Sequence, residues 1–272
     1  MNSPEMIPMT RHAHQMQRHT VVLREIEVLR SERLTPHMQR IVFGGAALRG
    51  FLSASPDDHV KLFFPNRQGQ LVLPTPGQGR LEFPEGVEPS PMRDYTPRRY
   101  DDEFNELTVD FVLHGDGPAA AWAEQAQPGQ HIGAGGPRGS FVVADDFDHY
   151  VMIGDETALP AIGRWLDELP YGARATVLVE IPGSADRQAL ESRAQVELAW
   201  FERDNQDAAT SQLLEHALER LPTPAGDTFW WIAAESSRAR RMRQYLSDER
   251  GIPKDWLRAT GYWKAEGNDE EA

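Results

Sequence analysis

A change in hydrophobic grammar near residue 147 is the feature that most limits how this chain can fold. Between residues 21 and 147 the apolar residues come in short β-type runs cut by glycine and proline: TVVLREIEVLRSERL, MQRIVFGG, HVKLFF, QLVL, ELTVDFVLH and SFVVA. Many short strands at such spacing predict a barrel or sandwich. From residue 148 the runs YVMIG, RATVLVEI, VELAWF and TFWWIAA are more continuously apolar. They alternate with helical periodicity in TALPAIGRWLDEL, AATSQLLEHALERL and SSRARRMRQYLSDER. That alternation predicts βα units on a parallel sheet. The boundary falls at Asp146 to Asp148, giving a β domain over 21–147 and an α/β parallel-sheet domain over 148–265. The proline-rich stretch from Pro65 to Pro97 cannot be one central strand, and reads as an excursion that rejoins the sheet near Arg93.

Residues 1–20 hold no continuous apolar stretch and no small-residue cleavage site, so a secretory signal is not expected and the chain reads as cytoplasmic. His12, His14 and His19 lie in this polar leader without fixed ligand spacing, so a flexible segment is expected there rather than a metal site. The closing residues 266–272 read as a solvated acidic tail. Nowhere does the sequence approach the roughly 20 apolar residues that span a bilayer, so no stable membrane insertion is expected.

Charge and cysteine content narrow the chemistry. With 28 basic and 42 acidic residues the net charge is −14, which repels phosphate backbones and argues against nucleic acid as a partner. An anionic ligand then needs a local basic site. The absence of cysteine excludes disulfides, thiol nucleophiles and Cys-held metal or iron–sulfur centres. Redox chemistry would need a bound cofactor.

Four segments carry candidate chemistry. In Arg93-Asp94-Tyr95-Thr96-Pro97, an extended chain puts Arg93 and Tyr95 on one face, and Pro97 biases Thr96 toward extension. A cation, a flat ring and a hydroxyl on one short edge suit a flavin nucleotide: arginine for pyrophosphate, tyrosine for stacking, threonine for the polar ring edge. An ordinary surface strand with a stacked Arg–Tyr pair is the alternative. In VDFVLHGDGPAAAWA (109–123) a strand enters a glycine turn and a short helix whose free N–H groups can hold phosphate. The alternative there is a plain strand-turn-helix with Trp122 as core anchor and His114 as a structural histidine. Gly154-Asp155-Glu156-Thr157 links an apolar strand to a helix, the position where open α/β sheets bind ligands. Asp155 and Glu156 would repel a pyrophosphate placed on them, so helix capping is the alternative role. Finally, Gly261-Tyr262-Trp263-Lys264 is either a lid over a bound ring or an aromatic plug on the last strand.

Taken together, MRDYTPRRYD, VDFVLHGDGPAAAWAEQAQPGQHIGAGGPRGSF, IGDETALPAI and ATGYWK resemble the siderophore-interacting protein family. These are flavin-dependent ferric-siderophore reductases of the ferredoxin-reductase superfamily. The resemblance covers residues 21–265 and implies an antiparallel Greek-key β-barrel holding FAD, followed by an α/β domain receiving NADPH or NADH. Arg93, Tyr95 and Thr96 match the family's flavin-binding R-x-Y-T. Val112, His114 and the turn with Gly117, Ala119, Ala120 and Ala121 match its second flavin segment, with Ala120 where serine is frequent. Asp155 and Thr157 fall in the segment assigned to cofactor contact. His59 to Leu62 and Gly136 to Gly139 match segments that set basic side chains beside the flavin. Lacking the active-site cysteine of plant-type relatives, the chain is left with Thr96 and Trp263 as catalytic candidates.

The implied reaction is hydride transfer from NAD(P)H to FAD, then one-electron reduction of Fe(III) in a chelate. Ferric siderophores are anionic, so Lys61, Arg138 and Lys264 are the expected substrate-binding cations, with Arg98 behind them. Glu180 is a candidate for ribose hydroxyls. Arg203 and the cluster Arg238, Arg240, Arg241 and Arg243 are candidates for a 2′-phosphate, a solvated helix face being the alternative for the cluster. A monomer is expected. The rival readings are a carrier that binds siderophore or flavin without turnover, and a flavin reductase module feeding a protein acceptor. Ester hydrolysis ranks last, because no GxSxG elbow is present.

Overall fold

The computed structural model describes residues 11–76, 81–114, 117–204 and 206–265. The first half runs β1 (Gln15–Arg18), β2 (Leu23–Thr35), β3 (Met38–Gly44), β4 (Val60–Phe63), β5 (Thr75–Pro76), β6 (Leu81–Glu82), β7 (Met92–Tyr95), β8 (Arg99–Asp101) and β9 (Glu106–Val112). Helix α1 (Pro118–Glu124), β10 (His131–Gly135) and β11 (Gly139–Val142) follow. Seven of these strands form one antiparallel sheet in the order β7-β4-β10-β2-β3-β9-β8. Ile26, Phe43, Val60, Leu62, Val109 and Phe111 bury themselves on its inner face. Tyr95 on edge strand β7 meets Phe111 on the distant β9 with ring centroids 4.4 Å apart. The sheet therefore curls back on itself as a half-barrel. The proline-rich excursion leaves after β4, carries the small β5–β6 hairpin and returns as β7, where Arg93 pairs with Leu62.

The second half contains β12 (His149–Gly154), a 3-10 turn over Glu156–Ala158, α2 (Leu159–Glu168), β13 (Arg174–Ile181), β14 (Gln195–Glu202), α3 (Leu213–Arg220), β15 (Thr228–Glu235), α4 (Ser236–Gln244) and β16 (Leu257–Trp263). All pairings in this sheet are parallel, in the order β14-β13-β12-β15-β16. Central strands covered on both faces must be apolar on both, which is why YVMIG and TFWWIAA lack alternation. On one face Met152 and Trp231 pack with Leu159, Ile162 and Trp165 of α2. On the other, Val151, Ile153, Trp230 and Ile232 pack with α3 and α4 through Leu214, Leu218, Ala239 and Met242. Met38 and Val112 of the half-barrel belong to the first of these clusters, so the two lobes share a core. The order of strands reverses between β12 and β15, and that reversal opens a crevice at their carboxyl ends.

The leader departs from expectation. Residues 11–20 are not a free segment: β1 pairs with β11, and His12 is inserted at the amino edge of the parallel sheet. Its ring stacks on Phe147 with centroids 3.9 Å apart, and its nitrogens lie 2.8 Å from Asp146 and 3.0 Å from Asp227. His14 accepts from the Ala144 amide through Nδ1. Aromatic stacking and acidic partners supply here what the polar sequence could not signal. Across the lobes, Arg164 of α2 donates to the hydroxyl and carbonyl of Ser53 and to the carbonyl of Pro97. Among the described residues no helix is long and apolar enough to cross a membrane.

Candidate functional site

The residues singled out in the sequence divide between the half-barrel and the carboxyl end of the parallel sheet, and Tyr262 of β16 reaches across to Asp57 of the half-barrel. On β7, Arg93 and Asp94 are exposed, while Thr96 is only 7% exposed. Arg93 donates to the Met92 carbonyl and projects from an edge strand. Tyr95 packs among Phe64 and Phe111, and burial drives its hydroxyl pKa upward.

In the second flavin segment, Val112 is buried at the shared core and His114 is exposed. Gly117 caps α1 without a side-chain hydrogen bond, and a Cβ added there would meet open space. Ala119 and Ala120 are buried, Ala121 is exposed, and Trp122 packs against Phe43 and Phe64 as a core anchor. Ala120 leaves this turn with backbone donors alone. Arg93 on an open strand edge and the uncapped glycine-led turn each offer donors of the kind that bind phosphate.

At the crevice, Asp155 both caps its turn and holds the last strand. It accepts from the Thr157 amide at 2.9 Å, from the Thr157 hydroxyl, and from the Trp263 indole N–H at 2.8 Å. Burial, reinforced by the charge of Glu156, pushes its carboxyl pKa from 3.8 up to about 6. Trp263 follows an irregularity in β16: Gly261 pairs with Ala234 and Trp263 with Glu235, so Tyr262 is an extra residue. Such bulges re-aim side chains. Here consecutive aromatics serve different partners, Trp263 joining Asp155 while Tyr262 donates to Oδ1 of Asp57 at 2.9 Å. Asp57 is paired on its other oxygen with Arg258, whose guanidinium lies over Phe141. Burial, followed by the charge of Asp57, raises the Tyr262 pKa well above its ordinary value.

The basic candidates are arranged unequally. Lys61 reaches Asp94 at 2.9 Å, and its strand partner is Gly135, from which the chain turns to the exposed Arg138. Lys264 is exposed one residue beyond β16. Arg98 is not behind them as a spare cation: it pairs with Asp167 at 2.7 Å and lies over Gly163, joining the lobes.

Three candidates for nucleotide recognition are likewise committed elsewhere. Glu180 is fully buried and accepts from Arg238 at 2.8 and 2.9 Å and from Ser211 at 3.0 Å. Arg203 holds both oxygens of Glu156 at 2.6 Å, and Arg238 also holds Glu215. This internal chain of alternating charges replaces both the ribose and the 2′-phosphate assignments for these residues. Of the remaining cluster, Arg240, Arg241 and Arg243 are exposed on α4, with Arg241 paired to Glu215.

Asp57, Arg258, Tyr262 in its bonded role, and Arg164 were not singled out as site residues by the sequence. The one available signal was Tyr262, lying inside the quoted GYWK.

Comparison with known proteins covers both lobes. The profile of the siderophore-interacting FAD-binding domain matches residues 27–141, and that of the siderophore-interacting protein matches residues 147–266. An NADPH-dependent ferric-chelate reductase from Escherichia coli is 38% identical over 251 residues, 91% of this chain and 95% of that protein. The ferric vibriobactin reductase ViuB of Vibrio cholerae is 34% identical, with 92% of each chain covered. Among solved structures, a siderophore utilization protein from T. fusca superposes with a TM-score of 0.88 at 36% identity, covering 95% of this chain and 99% of that one.

Proposed function

This chain belongs to the siderophore-interacting protein family, and on that premise we propose that it is an FAD-dependent NAD(P)H:ferric-siderophore reductase. The observation that carries the reading is the bond from Arg164 of α2 to the Pro97 carbonyl at 3.1 Å, which ties the end of the R-x-Y-T segment to the parallel-sheet lobe. A flavin on the first and a nicotinamide in the crevice of the second would be neighbours. When bound, FAD supplies the conversion of a two-electron hydride donor into one-electron steps toward Fe(III).

The chain's residues supply binding, orientation and charge. Arg93 and the turn at Gly117 hold the phosphates, Tyr95 lines the ring site, and Thr96 faces its polar edge. Asp155 and Thr157 shape the nucleotide crevice, and Trp263 lies across it, held by Asp155. The ferric chelate is the substrate. Its negative charge is met by Arg138, Lys61 and Lys264 on a chain whose net charge is −14. Reduction releases the metal because Fe(II) binds hard oxygen ligands more weakly than Fe(III), and the cytoplasm is the compartment in which we place that release. NADPH is the favoured donor, by analogy with the Escherichia coli relative.

Anaerobic stopped-flow bleaching of the flavin by NADPH and by NADH, followed by Fe(II) trapping from several ferric chelates, tests this reading. Reduction by a nicotinamide and preference for siderophore chelates are expected. A yellow protein that neither nucleotide bleaches would instead be a carrier. Fast dye reduction without chelate preference would indicate a module serving a protein acceptor.

A further inference from the structure

Lys61 has two neighbours in its row of the half-barrel sheet. Strand pairing sets it directly opposite Asp94 of β7 on one side and Gly135 of β10 on the other. Residues directly opposite one another on adjacent strands carry their side chains on the same face. Lys61 and Asp94 therefore meet, with the ammonium 2.9 and 3.0 Å from the two carboxylate oxygens. The pair is open to solvent, the Lys61 side chain being 34% exposed and that of Asp94 47% exposed. On the other side Gly135 sets no side chain in the way, and the chain runs on from it to Arg138. Arg138 is exposed and, among the described residues, has no acidic partner. One cation of the substrate site is thus uncommitted, while the other is already held by a carboxylate. Side chains alternate along a strand, so Asp94 shares no face with Arg93 and Tyr95, and its charge is separate from the residues assigned to the flavin.

From this we infer that Asp94 is a specificity-determining residue for the ferric chelate: it competes with the chelate for Lys61 and turns the site from trianionic chelates toward those of low charge. The inference rests on the reading that Lys61 and Arg138 receive the substrate. A chelate that engages both cations draws Lys61 toward Gly135 and leaves the Asp94 carboxylate unpaired beside the incoming charge. The resulting repulsion grows with the charge of the chelate and vanishes for a neutral one. Three hydroxamates neutralise Fe(III), whereas three catecholates leave a trianion. A neutral chelate makes no call on Lys61, which stays on Asp94. Asp94 therefore penalises the catecholate class and leaves the hydroxamate class untouched, discrimination by a repulsive element set against one partner.

The test is calorimetric titration of the FAD-loaded protein with gallium(III) chelates, which keep the shape and charge of the ferric ones but are not reduced, alongside steady-state reduction of the ferric forms. At low salt Asp94→Asn should bind the gallium tris-catecholate about tenfold more tightly than wild type, and the tris-hydroxamate within about twofold, as expected for one charge acting on a trianion across adjacent strands. KM for the ferric forms should follow the same split, and added salt should erase it. Asp94→Thr suits a strand, should behave alike, and serves if the asparagine variant loses FAD. In a Lys61→Gln background the Asp94→Asn gain should fall to about threefold, because only direct repulsion is left to relieve. Glu219→Gln makes the same change in net charge at an exposed position on α3 of the other lobe, and should leave both affinities as they are. No gain in Asp94→Asn, an equal gain for both chelates, a gain undiminished without Lys61, or one matched by Glu219→Gln would each overturn the inference while leaving the reductase reading intact. A wild-type protein that holds FAD but reduces no ferric chelate would overturn that reading, and the inference with it.

Discussion

The indole N–H of Trp263 donates to Oδ2 of Asp155 across 2.8 Å, so the last residue of β16 holds the turn that follows β12. The two strands are not neighbours, because β15 lies between them. The bond therefore spans the mouth of the crevice and makes one buried carboxylate answerable for the position of the aromatic ring.

That carboxylate gives the first prediction. With its pKa raised from 3.8 to about 6, chiefly by burial, folded Asp155 keeps a proton that the unfolded chain releases. The native state binds more protons between about pH 4 and 6, so this group makes stability fall as pH rises through that window. In thermal melts across this range, Asp155→Asn should show a flatter decline than wild type. Parallel curves would remove the assignment.

Burial of Glu180 and Arg238 gives the second. Both side chains are fully inaccessible, and Arg238→Met would leave Glu180 with the longer contact to Arg203 at 3.4 Å and the hydroxyl of Ser211. Stranding a buried charge costs about 3–5 kcal/mol. Urea unfolding should register that loss, and the double variant Glu180→Leu/Arg238→Met should recover much of it. A single variant within about 1 kcal/mol of wild type would show that the pair is not buried as described.

The substrate cations give the third. Lys61 and Asp94 form a partly exposed pair worth about 0–1 kcal/mol, so Lys61 can turn toward an anion at little cost to the fold. Lys61→Gln/Arg138→Gln should raise KM for a tris-catecholate ferric chelate about tenfold, equivalent to about 1.4 kcal/mol, with FAD content unchanged. The wild-type advantage should shrink as salt is added. Steady-state kinetics that match wild type would remove both residues from the substrate site.

His12 gives the fourth. Its side chain is 6% exposed between two aspartates and against Phe147. His12→Ala removes that packing and leaves Asp146 and Asp227 without the ring between them, at about 1–3 kcal/mol. Calorimetry should record a melting temperature lower by several degrees. An unchanged melting temperature would mean that the leader contributes nothing to the fold.

The parallel lobe was legible because strands buried on both faces have no alternation to hide, and because α2 repeats Leu159, Ile162 and Leu166 at helical spacing. The half-barrel was legible in its short runs and its proline-rich gap. The charge chain left only a faint mark, a glutamate near the end of the apolar strand RATVLVEI, which read as a candidate for ribose hydroxyls because its partner Arg238 lies 58 residues away. Asp57 was silent for the same reason carried further: its partners are 201 and 205 residues distant, and no local pattern records a contact of that span. The leader's polar sequence hid its role because its anchors are rings and acids contributed by the sheet's amino edge.

The leader also bears on how the molecule can move. The sole covalent connection between the lobes within the described residues is the segment 143–148, between β11 and β12, and His12 and His14 bond along that same segment at Ala144 and Asp146. The leader is in effect a splint laid on a hinge. A bare connection of that length would let one lobe swing from the other to admit a nucleotide. A splinted one resists swinging, so a nucleotide would have to reach the crevice with the two lobes held as they are.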